Sequence, residues 1–384
     1  MSEPAPTLED FSAARRRLGD RVLQTPVWHW SGREIRAATA PGTEVHLKLE
    51  LFQRAGTFKP RGALMNMLAL DPDALAAGVT AVSAGNHALA VGYAASVLGT
   101  SAKVVMFEGA DPARVRGCRD YGAEVVLASD VHAAFDEVRR IERDEGRTFV
   151  HPFEGRNTVL GTGTLGLELS RQVAGLEAVV VAIGGGGLCA GVATAVKLAL
   201  PECRVYGVEP EGADTMHRSF ASGKPEAIER VDTIADSLAA PHAAPYTFSL
   251  CRRYVDELVK VSDPMMIDAL RLLFRDAKLA VEPAGAAAEA ARSAPATCAS
   301  ATVGSTATTA IWRSSPPGPR RLRRSSGRCV NGSPGASWGS SSAERTSIPP
   351  GTRGICRARG PRTRRGRARL GPDGRGGGVP AKAL

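Results

Sequence analysis

The stretch Thr57-Phe58-Lys59-Pro60-Arg61-Gly62-Ala63 decides the fold assignment when it is taken with two later stretches of the chain. Ser83-Ala84-Gly85-Asn86-His87-Ala88 follows a short apolar segment, and Gly184-Gly185-Gly186-Gly187 follows a longer one. The order is therefore a lysine, a small polar loop and a run of glycines, the last two placed after predicted strands. Loops at the carboxyl ends of strands are where open α/β sheets bind ligands.

Strands and helices are predicted to alternate over residues 1–290. Apolar strands separated by helices indicate parallel sheets that are covered on both faces. The predicted strands are 45–49, 79–82, 103–107, 124–127, 178–183 and 204–208, and the predicted helices are 62–70, 86–98, 111–121 and 190–200.

Lys59 is the first candidate for chemistry, in a predicted loop between a strand and a helix. A lysine that forms a Schiff base needs a neutral amine, which a desolvated pocket provides. Most lysines are solvated surface residues, and the neighbouring Phe58 is equally compatible with plain core packing. The stretch alone leaves both interpretations open.

The loop Ser83–His87 connects a predicted strand to a predicted helix. Helix N-termini bind anions such as a carboxylate. Ser83 and the loop amides can hold that group, while Asn86 can donate a hydrogen bond to a ligand oxygen. A helix cap with a structural asparagine is the alternative interpretation.

The four glycines Gly184–Gly187 allow several backbone N–H groups to turn toward one phosphate. A dinucleotide-binding loop is the competing hypothesis. That pattern requires a third glycine where this chain has Cys189, so the spacing fails and favours a single phosphate group.

Together these stretches resemble the fold-type-II pyridoxal-phosphate-dependent enzymes (tryptophan synthase beta-like), and among them the threonine/serine dehydratase branch. The resemblance covers about residues 15–290. It includes Thr25-Pro26, Lys48-Leu49-Glu50, His151-Pro152-Phe153, Gly161-Thr162-Gly163-Thr164 and Val281-Glu282-Pro283-Ala284-Gly285-Ala286. It implies two parallel-sheet α/β domains, a small one of about residues 51–150 inserted in a large one of residues 1–50 and 151–290.

The resemblance also implies roles for individual residues. Lys59 forms the Schiff base with pyridoxal 5'-phosphate and acts as acid and base at the substrate α-carbon. Phe58 packs on the cofactor ring and Asn86 bonds its oxygen. The phosphate is bound by Gly184, Gly185, Gly186, Gly187 and Leu188, and the substrate by Ser83, Ala84, Gly85, Asn86 and His87.

The implied reaction is the dehydration and deamination of L-threonine or L-serine to a 2-oxo acid and ammonia. Another β-hydroxy amino acid, such as 3-hydroxyaspartate or phenylserine, is the alternative substrate. The loop Ser83–Ala88 resembles the dehydratases rather than the sulfhydrylases, which carry Thr-Ser-Gly-Asn-Thr-Gly. Serine racemases carry a second serine where this chain has Ala84, so we expect little or no racemisation.

Two features depart from the family pattern. Relatives with a cation site place oxygen ligands at the positions of Glu209, Ala213 and residue 215, but residue 215 is a threonine here. A divalent or monovalent cation is therefore a doubtful expectation. The strand that the family has near its C-terminus is also not identifiable after Ala286, which would leave a sheet open.

The net charge of +10 belongs to the C-terminal tail, because 18 of the 49 basic residues but only two of the 39 acidic ones follow residue 290. Residues 291–384 lack Phe and Tyr and show neither helical nor strand periodicity, so disorder is expected. A frameshift near codon 290 in a G/C-rich gene explains this composition. An inactive remnant whose Arg-rich tail binds nucleic acid is the alternative.

The cysteine content and the length of the apolar runs indicate the cellular compartment and the kinds of partner. Seven scattered cysteines without metal-ligand spacing favour a reducing cytoplasm, with the first four as free structural thiols. No apolar run reaches membrane-helix length. We expect a small amino-acid substrate, a homo-oligomer, and neither a membrane nor a nucleic-acid partner.

Overall fold

A computed structural model of the chain describes residues 3–293 and, for the backbone alone, residues 309–314. The strands are β1 (Val27–Trp30), β2 (Thr43–Lys48), β3 (Val79–Val82), β4 (Ala102–Phe107), β5 (Glu124–Ala128), β6 (Thr148–Phe149), β7 (Ala178–Ala182), β8 (Arg204–Pro210), β9 (Glu257–Val261) and β10 (Thr309–Ser314). The helices are α1 (Leu8–Leu18), α2 (Arg33–Ala38), α3 (Lys59–Leu68), α4 (Pro72–Ala77), α5 (Asn86–Leu98), α6 (Pro112–Asp120), α7 (Val131–Glu145), α8 (Arg156–Gln172), α9 (Gly187–Ala199), α10 (Thr215–Ser222), α11 (Pro245–Tyr254), α12 (Asp263–Leu272) and α13 (Pro283–Ala290).

The strands form two sheets within the described residues. The smaller sheet has the order β5-β4-β3-β6 and is parallel throughout. The larger sheet has the order β1-β2-β10-β7-β8-β9, in which β7, β8 and β9 are parallel. Val179 and Val181 of β7 belong to one hydrophobic core and Val180 to another, so this sheet is covered on both faces. The predicted α/β architecture is confirmed.

Strand β10 corrects the prediction that nothing after residue 290 forms a strand. Its backbone pairs antiparallel with β2 and with β7 and joins the two halves of the larger sheet. Unpaired strand edges are costly, and the sequence Thr-Ala-Ile-Trp of residues 309–312 is rich in residues that favour strands. Residues 291–293 form a 3-10 turn. The rest of the predicted tail, 294–308 and 315–384, lies outside the described residues.

Two helices begin earlier than predicted, and both shifts concern the candidate site. Helix α3 begins at Lys59 rather than at residue 62, because a proline is well tolerated in the first turn of a helix and Pro60 lies there. Helix α9 begins at Gly187 rather than at residue 190, directly after Gly186. Lys59 and the last glycine of the run therefore both lie at helix N-termini.

The strands of the smaller sheet all lie between residues 79 and 149, while those of the larger sheet precede and follow them. The domain boundaries at residues 50/51 and 150/151 stay a prediction. Cys118, Cys189, Cys203 and Cys251 are free and buried, as predicted, whereas the later cysteines lie outside the described residues. In the described part of the chain, no helix combines the length and apolarity needed to cross a membrane.

A buried ion-pair cluster connects α3 to its neighbours. It is formed by Lys48, Glu50, Arg61 and Glu168 and is here called the Arg61 cluster. The guanidinium of Arg61, fully buried, donates twice to Glu50 at 2.8 and 2.9 Å and twice to Glu168 at 2.8 and 2.9 Å. Lys48 completes the charge balance with a 2.6 Å contact to Glu168. Because β2, α3 and α8 each contribute to this cluster, it fixes the start of the helix on which Lys59 lies.

We predict that Arg61→Leu lowers the free energy of unfolding in urea by roughly 3–5 kcal/mol, because two buried carboxylates lose their shared cation. Arg271→Leu is the matched control, since it removes the cation of an exposed pair with Asp268 and should leave the urea midpoint unchanged. Equal shifts in the two variants would contradict the central role of the Arg61 cluster.

Candidate active site

A cavity of about 190 Å³ opens at the strand ends that carry the polar loops. Its walls include every residue that the sequence assigned to cofactor binding: Phe58, Lys59, Asn86, Gly184, Gly185, Gly186, Gly187 and Leu188. Three separate stretches of the sequence thus meet in one place. Their individual roles stay predictions.

Lys59 is the first residue of α3, and it lies on the wall of this cavity. Its Nζ donates a hydrogen bond of 2.7 Å to the carbonyl oxygen of Pro152 and lies 5.3 Å from the centre of the Phe58 ring. Burial lowers the pKa of Lys59 to about 8, against the opposing effect of the Glu282 carboxylate. The lowered pKa increases the neutral fraction of this amine near neutral pH, and the neutral form is the one that a nucleophile or a general base requires.

The glycine loop forms a cradle at the N-terminus of α9. Gly186 has a φ of 90°, a conformation that side chains other than glycine rarely adopt. At Gly187, a Cβ atom would come within 2.3 Å of the carbonyl oxygen of Phe153. The absence of side chains leaves the first N–H groups of α9 accessible from the cavity, and such groups bind phosphate.

The substrate loop predicted at Ser83–His87 connects β3 to α5. The Ser83 hydroxyl accepts a 3.1 Å hydrogen bond from the Gly85 amide, and Asn86 points into the main cavity. His87 is buried, and its Nε2 lies 2.8 Å from the carbonyl oxygen of Val150. Burial lowers the pKa of His87 to about 3, so the ring is neutral. It lines a small second cavity beside Lys59.

A polar network at the mouth of the cavity was not predicted from the sequence. Asn86 donates to Glu282 at 2.8 Å and to Ser237 at 3.2 Å. Arg114 contacts Asp236 at 2.7 Å and Glu282 at 3.4 Å. Burial raises the pKa of Glu282, and neighbouring Asp236 adds to this effect. Glu282 lies in the quoted stretch Val281–Ala286, but nothing in the local pattern indicated its partners.

The cation site considered for Glu209, Ala213 and residue 215 does not fit this chain. Both carboxylate oxygens of Glu209 accept hydrogen bonds, from the amides of Met216 and His217 and from the His217 ring. Ala213 offers only its main-chain carbonyl oxygen and Thr215 only a hydroxyl, so neither position supplies a second carboxylate. Among the residues that the structure describes, no cluster of three or more His, Cys, Asp or Glu side chains can hold a metal ion.

Comparison with known proteins identifies the family. A family model described as "Pyridoxal-phosphate dependent enzyme" matches residues 20–308. The chain belongs to this family. Phenylserine dehydratase of Ralstonia pickettii is 59% identical over 288 residues, covering 74% of this chain and 87% of that protein. L-threonine ammonia-lyase of Thermotoga maritima is 38% identical over 286 residues, covering 74% and 70%.

A solved structure, that of maize serine racemase, superposes with a TM-score of 0.74 at 33% identity and covers 78% of this chain and 91% of that one. The fold is thus fold type II, and the chain lies in the threonine dehydratase branch. Its cofactor is pyridoxal 5'-phosphate and its reaction class is β-elimination. The buried amine, the glycine cradle and the helix N-terminus provide a fitting environment for this cofactor.

The lowered pKa of Lys59 predicts how cofactor uptake depends on pH. Only the neutral amine attacks an aldehyde, so the uptake rate of the cofactor-free protein should rise with pH and level off above about pH 8. Stopped-flow absorbance measures this rate. A rate still climbing toward the ordinary lysine pKa of 10.5 would contradict the burial of the amine.

The lowered pKa of Lys59 also predicts how the free energy of unfolding changes with pH. Between about pH 8 and 10.5 the unfolded state binds more protons at Lys59 than the folded state. The free energy of unfolding of the cofactor-free protein, relative to Lys59→Met, should therefore rise with pH across this window. A difference that is flat or falls over that range would contradict the assignment.

Proposed function

We propose that this protein dehydrates and deaminates an L-3-hydroxy amino acid with an aromatic β-substituent, of the phenylserine type, to a 2-oxo acid and ammonia. The observation that carries the proposal is the 59% identity to phenylserine dehydratase over most of both chains. The cavity supports it, because apolar side chains of Leu51, Phe153, Leu238 and Val281 lie on its walls. Such surfaces bind an aromatic ring favourably.

L-threonine and L-serine are the second candidate substrates, supported by the 38% identity to L-threonine ammonia-lyase. 3-Hydroxyaspartate is the third, and it would bring a second carboxylate to a cavity whose wall already holds Glu282. We therefore order the substrates as phenylserine, then threonine and serine, then 3-hydroxyaspartate.

The residues of the chain divide the work of this reaction. When bound, the cofactor withdraws electrons from the α-carbon, which makes the α-proton removable. Lys59 takes that proton at its Nζ atom, for which its lowered pKa suits it. The amides of the loop Ser83–His87 hold the substrate carboxylate at the N-terminus of α5. The glycine loop holds the cofactor phosphate at the N-terminus of α9.

The direct test is the release of 2-oxo acid by the purified protein from L-threo-phenylserine, L-threonine, L-serine and L-threo-3-hydroxyaspartate, with and without added pyridoxal phosphate. We expect the highest kcat/KM for phenylserine and the loss of activity by at least about a thousandfold in Lys59→Ala, because proton transfer and cofactor attachment are removed together. Release from none of the four would favour the inactive-remnant hypothesis.

Ala84 predicts the absence of a second acid/base group. A methyl group cannot transfer a proton to the opposite face of the α-carbon, so L-serine should not be converted to D-serine at a rate comparable to elimination. Chiral chromatography of the amino acid left after partial reaction measures this ratio. Ala84→Ser supplies a hydroxyl and should raise the ratio, whereas equal racemisation in the two proteins would contradict the assignment.

A further inference from the structure

Glu209 is a fully buried carboxylate at the end of β8 whose two oxygens receive three N–H donors. Its Oε1 accepts from the Met216 amide at 2.8 Å. Its Oε2 accepts from the His217 amide at 2.9 Å and from the His217 ring nitrogen Nδ1 at 2.7 Å. A buried carboxylate is stable only when such donors replace its hydration. Since a carboxylate only accepts, Nδ1 of His217 carries the hydrogen.

These donors make Glu209 the cap of helix α10, which has no cap of its own. The residue before α10, Asp214, makes no side-chain hydrogen bond to the helix N-terminus. Its carboxylate pairs instead with Arg218 at 2.8 Å and with Lys260 at 3.4 Å. A negative charge at a helix N-terminus is stabilising, so Glu209 fixes where α10 begins relative to β8.

Helix α10 in turn supports the glycine loop. Met216, fully buried in its first turn, places its Cε atom 2.8 Å from the position that a Cβ atom on Gly186 would take. Thr247 lies behind the same loop, with its hydroxyl oxygen 3.2 Å from the Gly185 carbonyl oxygen. Gly186 has the left-handed φ of 90°. Met216 and Thr247 therefore pack against the loop at this residue and restrict its movement.

We propose that Glu209 and His217 are positioning residues that hold the phosphate-binding loop in shape through Met216, and that the His217 ring takes the place of a bound cation at Glu209. In this arrangement the third donor to the carboxylate is a side chain of the protein itself. Neither Ala213 nor Thr215 offers a carboxylate, and the lone pairs of Glu209 face N–H groups. The inference rests on the proposed phosphate-binding role of residues Gly184–Leu188.

The test measures the affinity of the cofactor-free protein for pyridoxal phosphate, by absorbance titration well below the unfolding temperature. His217→Leu removes the ring donor and should weaken this affinity about tenfold, the loss of one charge-assisted hydrogen bond. His217→Asn keeps an N–H near the position of Nδ1 and should stay within about threefold of the unchanged protein. His132→Leu, on the exposed face of α7, is the matched control and should have no effect.

Met216→Ala tests the link to the loop with the donors intact, since it shortens only the side chain behind Gly186. It should weaken cofactor binding to a similar extent as His217→Leu. A role in folding alone would lower the melting temperature of both variants without changing the affinity measured at low temperature. Unchanged affinity in folded His217→Leu and Met216→Ala would overturn the proposal.

The absence of a cation at Glu209 can be tested on the unchanged protein. After dialysis against a chelator, added Mg²⁺, Ca²⁺ or K⁺ should change neither the cofactor affinity nor the melting temperature of the unchanged protein. A saturable increase in either with one of these ions would overturn this part of the proposal. Failure of the unchanged protein to bind pyridoxal phosphate saturably would instead contradict the proposed cofactor site itself.

Discussion

The Arg61 cluster is the interaction on which the site geometry depends. It places two cations and two carboxylates in the interior, where each charge is tolerated only because the others neutralise it. Arg61 lies two residues after Lys59 in the first turn of α3. Any shift of α3 along its axis would therefore break the buried pairs before it moved the amine far from the cavity. The buried ion pairs thus fix the position of the Lys59 amine.

The other side of the cavity is fixed by close backbone approach rather than by charge. The glycine loop passes so near to Phe153 that a side chain at Gly187 would collide with a backbone oxygen. Thr247, Met216 and Glu154 support the loop from behind, the last by accepting hydrogen bonds from Thr247. The amine and the phosphate cradle share a neighbouring segment, because Lys59 donates to Pro152 and the glycine loop packs on Phe153. A ligand that bridges the two must match the distance that these contacts set.

How much the sequence predicted follows from the range of the interactions. Helix α5 was predicted to the residue, because Gly85 and Gly99 bound a segment rich in alanine and other apolar residues. The residues assigned to the cofactor could be named because each lies in a short stretch with its own local pattern, whereas Leu51, Ser237 and Leu238 of the same cavity wall were not predicted. Strand β10 was missed because its pairing partners lie more than a hundred residues away and its own segment shows no periodicity. Arg114 and Glu282 meet across 168 residues of sequence, and no local pattern encodes that contact.

We propose Lys59 as the amine that holds the cofactor. Borohydride reduction of the protein after incubation with pyridoxal phosphate, followed by proteolysis and mass spectrometry, locates the modified lysine directly. We predict one pyridoxyl group on the peptide that contains Lys59, in an amount that follows cofactor occupancy. Modification of a different lysine at equal or greater yield, with Lys59 unmodified, would contradict it.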